Sequence, residues 1–354
     1  MRENFSIDTI NSLKTRAGNI CSFPGCNAPT SGPSQESPTQ TANTGVAAHI
    51  CAASQGKGSR RRLDLSKFDV KLLSDYSNGI WMCGKHAKLI DTDEVRFTVE
   101  MLRRWRELAE LRAELSHASG QTIQLELRRG RMVPLAEVQK SLSQCDENTF
   151  REVCTAVLDS CIVDVWGKDL GLAVRDLVGE LMLNAFNHGG AKGFKLDIDE
   201  KRVLIESDDA PFSFGQLLGD PERHGGQRAA SEVVRLGDRL ITSYRRTPTS
   251  NVLEIAFITS GEQALAATTC AIDHISFVTA LHTPEGLPAV YSNCETIYVV
   301  LEDHFIPSAA RSFSVRLKML AATKKRLVLI GTDISSHVVD MMKEGFPGVQ
   351  VVQL

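Results

Sequence analysis

Two short segments bearing cysteine and histidine constrain this chain more than anything else in it. Cys21-Ser-Phe-Pro-Gly-Cys26 and Cys83-Gly-Lys-His86 lie about 60 residues apart. Pro24 and Gly25 shape a tight turn in the first, and a strand-to-helix junction is expected at the second. Four-coordinate structural zinc takes Cys or His pairs presented by such turns. Cys21, Cys26, Cys83 and His86 are therefore expected to hold Zn2+ as a zinc ribbon. The metal would add on the order of 10–16 kcal/mol of apparent binding energy to folding. That matters here, because residues 28–44 are almost wholly Ser, Thr, Pro, Gly, Asn, Gln and Ala and offer no core.

The other cysteines carry no ligand-like spacing. The chain has nine. It has no apolar run of about 18 residues that would span a membrane. Met1–Ile10 alternates polar and apolar residues and lacks a signal core. The expectation is a cytoplasmic protein whose cysteines serve metal or core before disulfides. Cys154 and Cys161, two helical turns apart, are expected to be core.

Charge is spread unevenly. Residues 1–118 carry 16 Lys/Arg against 13 Asp/Glu, and the remainder 24 against 30. Lys57, Arg60, Arg61 and Arg62 gather beside glycines in one loop. Such a cluster suits DNA phosphates, and these four are the candidate DNA contacts. A merely solvated loop is the alternative.

Periodicity orders the chain. Residues 4–16 read as a helix, 46–50 and 80–83 as strands, and the stretch after Thr98 as a helix with Met101, Leu102, Trp105, Leu108 and Leu111 on one face. Residues 116–123 read as a linker. Helical spacing then covers 134–143, 148–162 and 169–188. Strands are expected at 194–198, 203–205, 239–245 and 252–258, with a helix at 228–237. That order predicts an α/β sandwich with helices on one face of a mixed sheet. Beyond 262, β-branched runs at 297–301, 326–330 and 349–352 alternate with helices at 308–322 and 334–345. This βαβαβ unit predicts a small parallel sheet. His274, His282, His304 and His337 lack partners at useful spacing and are expected to be surface or core.

Between the zinc pairs lie Gly45-Val-Ala-Ala-His49-Ile and Ser77-Asn78-Gly-Ile-Trp-Met-Cys83-Gly-Lys-His86-Ala87-Lys-Leu-Ile-Asp91. This stretch, from about Cys21 to Trp105, resembles the HNH endonucleases of the ββα-metal fold. The resemblance implies that His49 is the general base and that Asn78 orients it or a neighbouring loop. The family's metal-binding His falls on Ala87 here, and the acidic residue that often precedes the first His falls on Ala48. Asp91 lies one helical turn after Ala87 and faces the same side. It is the candidate substitute ligand for catalytic Mg2+ or Mn2+, which favour oxygen. The Ala-His-Ile and Lys-Leu-Ile-Asp signatures resemble the N-terminal part of varied bacterial defence proteins.

Leu177-Val-Gly-Glu180-Leu-Met-Leu-Asn184-Ala-Phe-Asn187-His188 sets Glu180 and Asn184 on one face of an apolar helix. It resembles the N-box of the GHKL ATPases. The resemblance implies a Glu that activates water and an Asn that binds Mg2+ beside ATP. Asp208, after the strand ending at Glu206, matches the family's adenine-binding Asp, although Ala210 and Phe212 replace the usual glycines. His224-Gly225-Gly226 precedes a helix and matches the second glycine box, where backbone amides cradle phosphate.

The expected architecture is thus α+β and multidomain. It comprises a zinc-ribbon ββα-metal HNH-like module (1–118), a GHKL-like α/β sandwich (124–260) and a C-terminal α/β unit (262–354) that vaguely resembles STAS domains. The function expected is a DNA endonuclease regulated by ATP or by a protein partner from the same defence system, acting as a homo-oligomer. The alternative is a zinc-ribbon DNA-binding regulator that does not cleave.

Overall fold

The computed structural model describes residues 3–56, 58–119, 134–212, 214–218, 225–237, 239–281, 289–302, 305, 307–320, 325–346 and 348–354. Lys57, His224, His282, His304 and the expected linker positions 120–123 lie outside them. The described chain forms two compact units. One gathers residues within 1–126, 135–137 and 158–167; the other gathers those within 127–134, 138–157 and 168–354. The boundary expected at 262 therefore falls inside the second unit.

The first unit opens with α1 (Ile7–Arg16), capped by the Ser6 side chain, which accepts from Thr9 N. Within the polar stretch 28–44, β1 (Ser31–Pro33) and β2 (Thr41–Asn43) pair antiparallel. Next come β3 (Gly45–His49), β4 (Gly79–Cys83), α2 (Gly84–Ile90) and α3 (Val99–Ser119). β3 and β4 pair antiparallel, with His49 opposite Gly79, and α2 follows directly. The result is a ββα unit. Its core holds Leu13, Trp81, Phe97, Leu102 and Trp105, all buried. Gly45 is required there, because a Cβ would stand 2.1 Å from the Trp81 ring.

The second unit starts with β5 (Val138–Leu142), where a helix was expected. Leu135, Val138 and Leu142 are spaced for a helix face, but Val138 pairs with Ile198 and Leu142 with Phe194 at a sheet edge. Helix α4 (Glu147–Asp159) then stops short of the expected 162, because Cys161 takes φ 65°. Short α5 (Ile162–Val165), which belongs to the first unit, leads to long α6 (Lys168–Asn187) of the second. β6 (Phe194–Ile198), β7 (Arg202–Ser207), α7 (Phe214–Leu217), α8 (Gly225–Leu236), β8 (Leu240–Arg246) and β9 (Asn251–Phe257) complete this part. The sheet order is β5-β6-β7-β9-β8. Every pairing in it is antiparallel, so the expectation of a mixed sheet is corrected. Register puts Phe194, Leu196, Ile198, Val203, Ile205, Leu253 and Ile255 on one face, and all are buried.

The rest of the chain is α9 (Gly261–Ala267), β10 (Ala271–Asp273), α10 (His274–Ala280), β11 (Thr296–Val300), α11 (Pro307–Leu320), β12 (Arg326–Gly331), α12 (Ser336–Gly345) and β13 (Gln350–Gln353). β10-β11-β12-β13 is a parallel sheet in chain order, one strand longer than expected. Strand β10 has only three residues, too few to show a period. One face packs on α10, α11 and α12 through Phe277, Phe313, Leu317, Val338 and Met342. The other packs Tyr298, Val328 and Ile330 against Ile241, Ala256 and Ile258. The two sheets thus share a core, which is why no boundary falls at 262. Cys270 and Cys294 form a disulfide, with Cα atoms 5.8 Å apart. The expectation was metal or core roles before disulfides, and this pair departs from it. Among the described residues, no helix is long and apolar enough to cross a membrane.

Candidate metal centre and its neighbourhood

Cys21 follows α1 through Gly18 and Asn19, both at positive φ. The turn to Cys26 closes with Cys26 N donating to Phe23 O, and Ser22 N ties it to Trp81 O on β4. Cys83 ends β4 and occupies the N-cap position of α2, so His86 falls in that helix's first turn. Ligand atoms of Cys21, Cys26, Cys83 and His86 all lie within 4.8 Å of one another. His86 Nδ1 is 3.5 Å from Cys21 Sγ and 3.3 Å from Cys83 Sγ. A tetrahedral zinc with Zn–S near 2.3 Å and Zn–N near 2.0 Å places its ligands roughly 3.5–3.8 Å apart. The donor set and spacing fit a metal such as zinc.

The surroundings prepare the ligands. Phe23 stacks on the His86 ring at 4.0 Å and meets Trp105 edge-on at 5.0 Å. Burial, with help from Lys85, holds the His86 pKa below its ordinary value, so the imidazole is neutral at pH 7. Burial pushes the Cys21 thiol up to about 12, against backbone N–H bonds from Cys83 and Phe23. At Cys83 burial also pushes up, but hydrogen bonds from His86 N–H and the neighbouring thiols outweigh it and the net shift is down. A bound cation favours the thiolate form of all three cysteines.

The residues expected to be catalytic are held elsewhere in the same unit: the register that sets Cys83 opposite Gly45 sets His49 opposite Gly79, at the other end of the β3–β4 pair. His49, at the end of β3, stacks on Phe5 at 3.9 Å, and its Nε2 lies 3.0 Å from Glu3 O. A carbonyl only accepts, so Nε2 is the donor in this contact. Asn78 is buried. Its Oδ1 accepts from Cys51 N at 2.7 Å, and its Nδ2 donates to Cys51 O and Leu73 O. It pins the loop that follows His49. Asp91 caps the C-terminus of α2, and its side chain is 69% exposed.

Arg61 is placed differently from the expectation of a DNA contact. Its side chain is 5% exposed. Nε donates to Ile50 O at 2.7 Å, Nη1 to Ile90 O at 2.5 Å, and Nη2 to Asp91 Oδ1 at 3.3 Å. The backbone turns inward here at φ 48°, and Arg61 N donates to Glu94 Oε2. Buried carbonyls at two element ends need donors, and one guanidinium supplies both. Arg60 donates to Thr92 O while remaining exposed, and Arg62 is exposed. Beyond them Leu65, Phe68, Val70 and Leu72 are exposed, interleaved with Lys67 and Lys71. Their alternation with charged residues was the available sign of this surface.

In the second unit, four expected residues converge. A Cβ on Gly225, the first residue of α8, would stand 2.6 Å from Glu180 Oε1; one on Gly226 would stand 2.9 Å from Asn184 Nδ2. Asp208 does not join them. Its Oδ1 accepts from Lys192 N and Gly193 N, on an exposed surface. Asp209 is the buried carboxylate, accepting from Ser207 Oγ and Asn251 Nδ2, each at 2.6 Å. Strand parity explains the exchange: Ser207 faces in, so Asp208 faces out and Asp209 in.

Comparison with protein-family models, with curated proteins and with solved structures finds no match for this chain.

Proposed function

We propose that the first unit is a metal-dependent DNA endonuclease of the HNH type, governed by the second. The observation that carries this reading is the bridge made by Arg61. One guanidinium bonds both the carbonyl of Ile50, next to His49, and the carboxylate of Asp91. The neighbour of the candidate general base and the candidate metal ligand are thereby tied by one guanidinium within a ββα unit that carries the Cys3His cluster. In this reading, His49 takes a proton from water as the general base. Asp91 would hold Mg2+ or Mn2+, and the cation would stabilise charge developing on the phosphate. Asn78 keeps the His49 loop in place. Arg60 and Arg62, with Lys57, contact phosphates.

The second unit would bind a nucleotide such as ATP. Glu180 and Asn184 would face its phosphates and metal, and Gly225 and Gly226 would let the start of α8 approach them. Asp208, turned outward, has no part in this site.

The test is plasmid cleavage with Mg2+ or Mn2+, with and without ATP. Wild type should nick or linearise DNA, and His49→Ala and Asp91→Ala should not. If all three proteins leave DNA intact under every condition, the nuclease reading fails.

A second reading is favoured by two observations. Ala87, at the family's metal position, is buried, and Arg61 already engages Asp91 Oδ1. A cationic neighbour disfavours a second cation at that carboxylate. The protein would then bind DNA without cutting it. Salt-sensitive retention of DNA with no metal-dependent cleavage is its signature.

A further inference from the structure

The Cys21–Cys26 turn is gripped by a residue 139 positions further along the chain. Gly25 N donates to Asp164 Oδ2 at 3.1 Å. Arg112, itself buried, donates from Nη2 to Cys21 O at 3.2 Å and from Nη1 to Asn27 Oδ1 at 3.3 Å. Its Nη1 also approaches Asp164 Oδ1 at 4.0 Å. Asp164 and Arg112 thus fasten the turn at its first ligand, just before its second and just after it. Gly25 has φ 70° and nothing within 4 Å of a would-be Cβ. With no side chain to wedge the turn in place, its N–H is the handle by which this end is held.

Asp164 is on a rigid mount. Residues 158–167 belong to the first compact unit, although the chain on either side belongs to the second. Trp105 Nε1 donates to Asp159 O at 2.9 Å, and Arg96 forks onto the Asp159 carboxylate at 2.8 and 2.9 Å. Ala136 N donates to Ser160 O, and Ile162 and Val165 are fully buried. The Asp164 side chain is 14% exposed.

We propose that Asp164 is a positioning residue for the metal centre, holding the Cys21–Cys26 turn in its ligating shape through Gly25 N–H. This goes beyond the nuclease reading and rests only on metal binding by the Cys3His cluster. Groups that orient metal ligands from the next layer out change affinity without touching the metal, by roughly ten- to hundredfold. Linkage makes the effect reciprocal: metal bound at the cluster stabilises the 158–167 strap, and displacement of the strap loosens the metal. The strap runs directly into α6, which carries Glu180 and Asn184.

The test uses the full chain as wild type, Asp164→Ala, Asp164→Ser and Asp164→Asn. Zn2+ retention is measured by competition with a chromophoric chelator, and the ligand set by the visible spectrum of Co2+. Asp164→Ala should weaken zinc roughly ten- to hundredfold, with the Co2+ spectrum still that of three thiolates and one imidazole. Asp164→Ser, too short to reach Gly25, should match it and serves if the alanine variant does not fold. Asp164→Asn keeps an acceptor oxygen and should recover most of the affinity. A merely structural aspartate would lower thermal stability and leave zinc retention unchanged, and that result overturns the proposal. Failure of the asparagine to recover retention overturns it equally. Wild type that binds neither Zn2+ nor Co2+ removes the metal site beneath it.

Discussion

Gly225 approaches Glu180 so closely that a methyl group on it would stand 2.6 Å from the carboxylate oxygen Oε1. The obstructing atom is the end of a flexible side chain, so Gly225→Ala is accommodated by swinging Glu180 aside. The expected cost in stability is under about 1 kcal/mol, since Ala is the better helix former. The expected cost in function is larger. ATP binding measured by calorimetry should fall in Gly225→Ala and be absent in Asn184→Ala. Wild-type binding in both variants, or none in wild type, removes nucleotide from the mechanism.

Arg61 and Arg62 are neighbours with opposite fates. Arg61→Ala strips donors from Ile50 O and Ile90 O. Each buried carbonyl left unpaired costs about 1–3 kcal/mol, so denaturant midpoints should drop markedly. Arg61→Lys should not recover them, because a point charge cannot serve three acceptors in a fork. Arg62→Ala should leave stability unchanged and reduce the salt dependence of DNA retention. An Arg61→Ala protein as stable as wild type would show that the guanidinium is not the clamp described.

Removal of the metal has a convenient optical report. All three tryptophans, Trp81, Trp105 and Trp166, are buried in the first unit. Trp105 touches Phe23, which stacks on His86. Chelation should therefore red-shift tryptophan emission, and added Zn2+ should reverse it. Cys26→Ser should show the shift without chelator. Emission that ignores chelator would mean that the ββα unit stands without metal.

The four tyrosines give an alkaline prediction. Burial, then the bond to Glu110, pushes Tyr76 up to about 12; burial pushes Tyr298 up to about 12 and raises Tyr244 and Tyr291. A phenol whose folded pKa exceeds its unfolded value near 10 stabilises the fold fully below that value. The contribution is lost as pH climbs through the folded value. Tyrosinate absorbance should therefore lag behind that of the denatured chain between pH 10 and pH 12. Coincident titration curves would contradict these placements.

The Cys3His cluster was legible in sequence because its constraint is local: two pairs, each closed by one turn. Residues at helical spacing were legible too, as Glu180 and Asn184 show. What escaped was set by distance or by parity. Asp164 is invisible beside Gly25 until the chain folds. Arg61 looked like Arg60 and Arg62 because burial has no letter of its own. Asp208 and Asp209 are adjacent carboxylates, and only the pleat of β7 decides which one faces inward. Val138 and Leu142, four apart, satisfy a helical template and a strand face equally, and the partner strand β6 decided between them.

The bond between Cys270 and Cys294 has a consequence for anyone handling this protein. It encloses β10, α10 and the chain up to β11 in a covalent ring. A single protease cut within that ring leaves both fragments tethered. On a gel without reductant the nicked chain would migrate as one band, and only added thiol would part it in two. Integrity judged without reductant would then count broken molecules as whole.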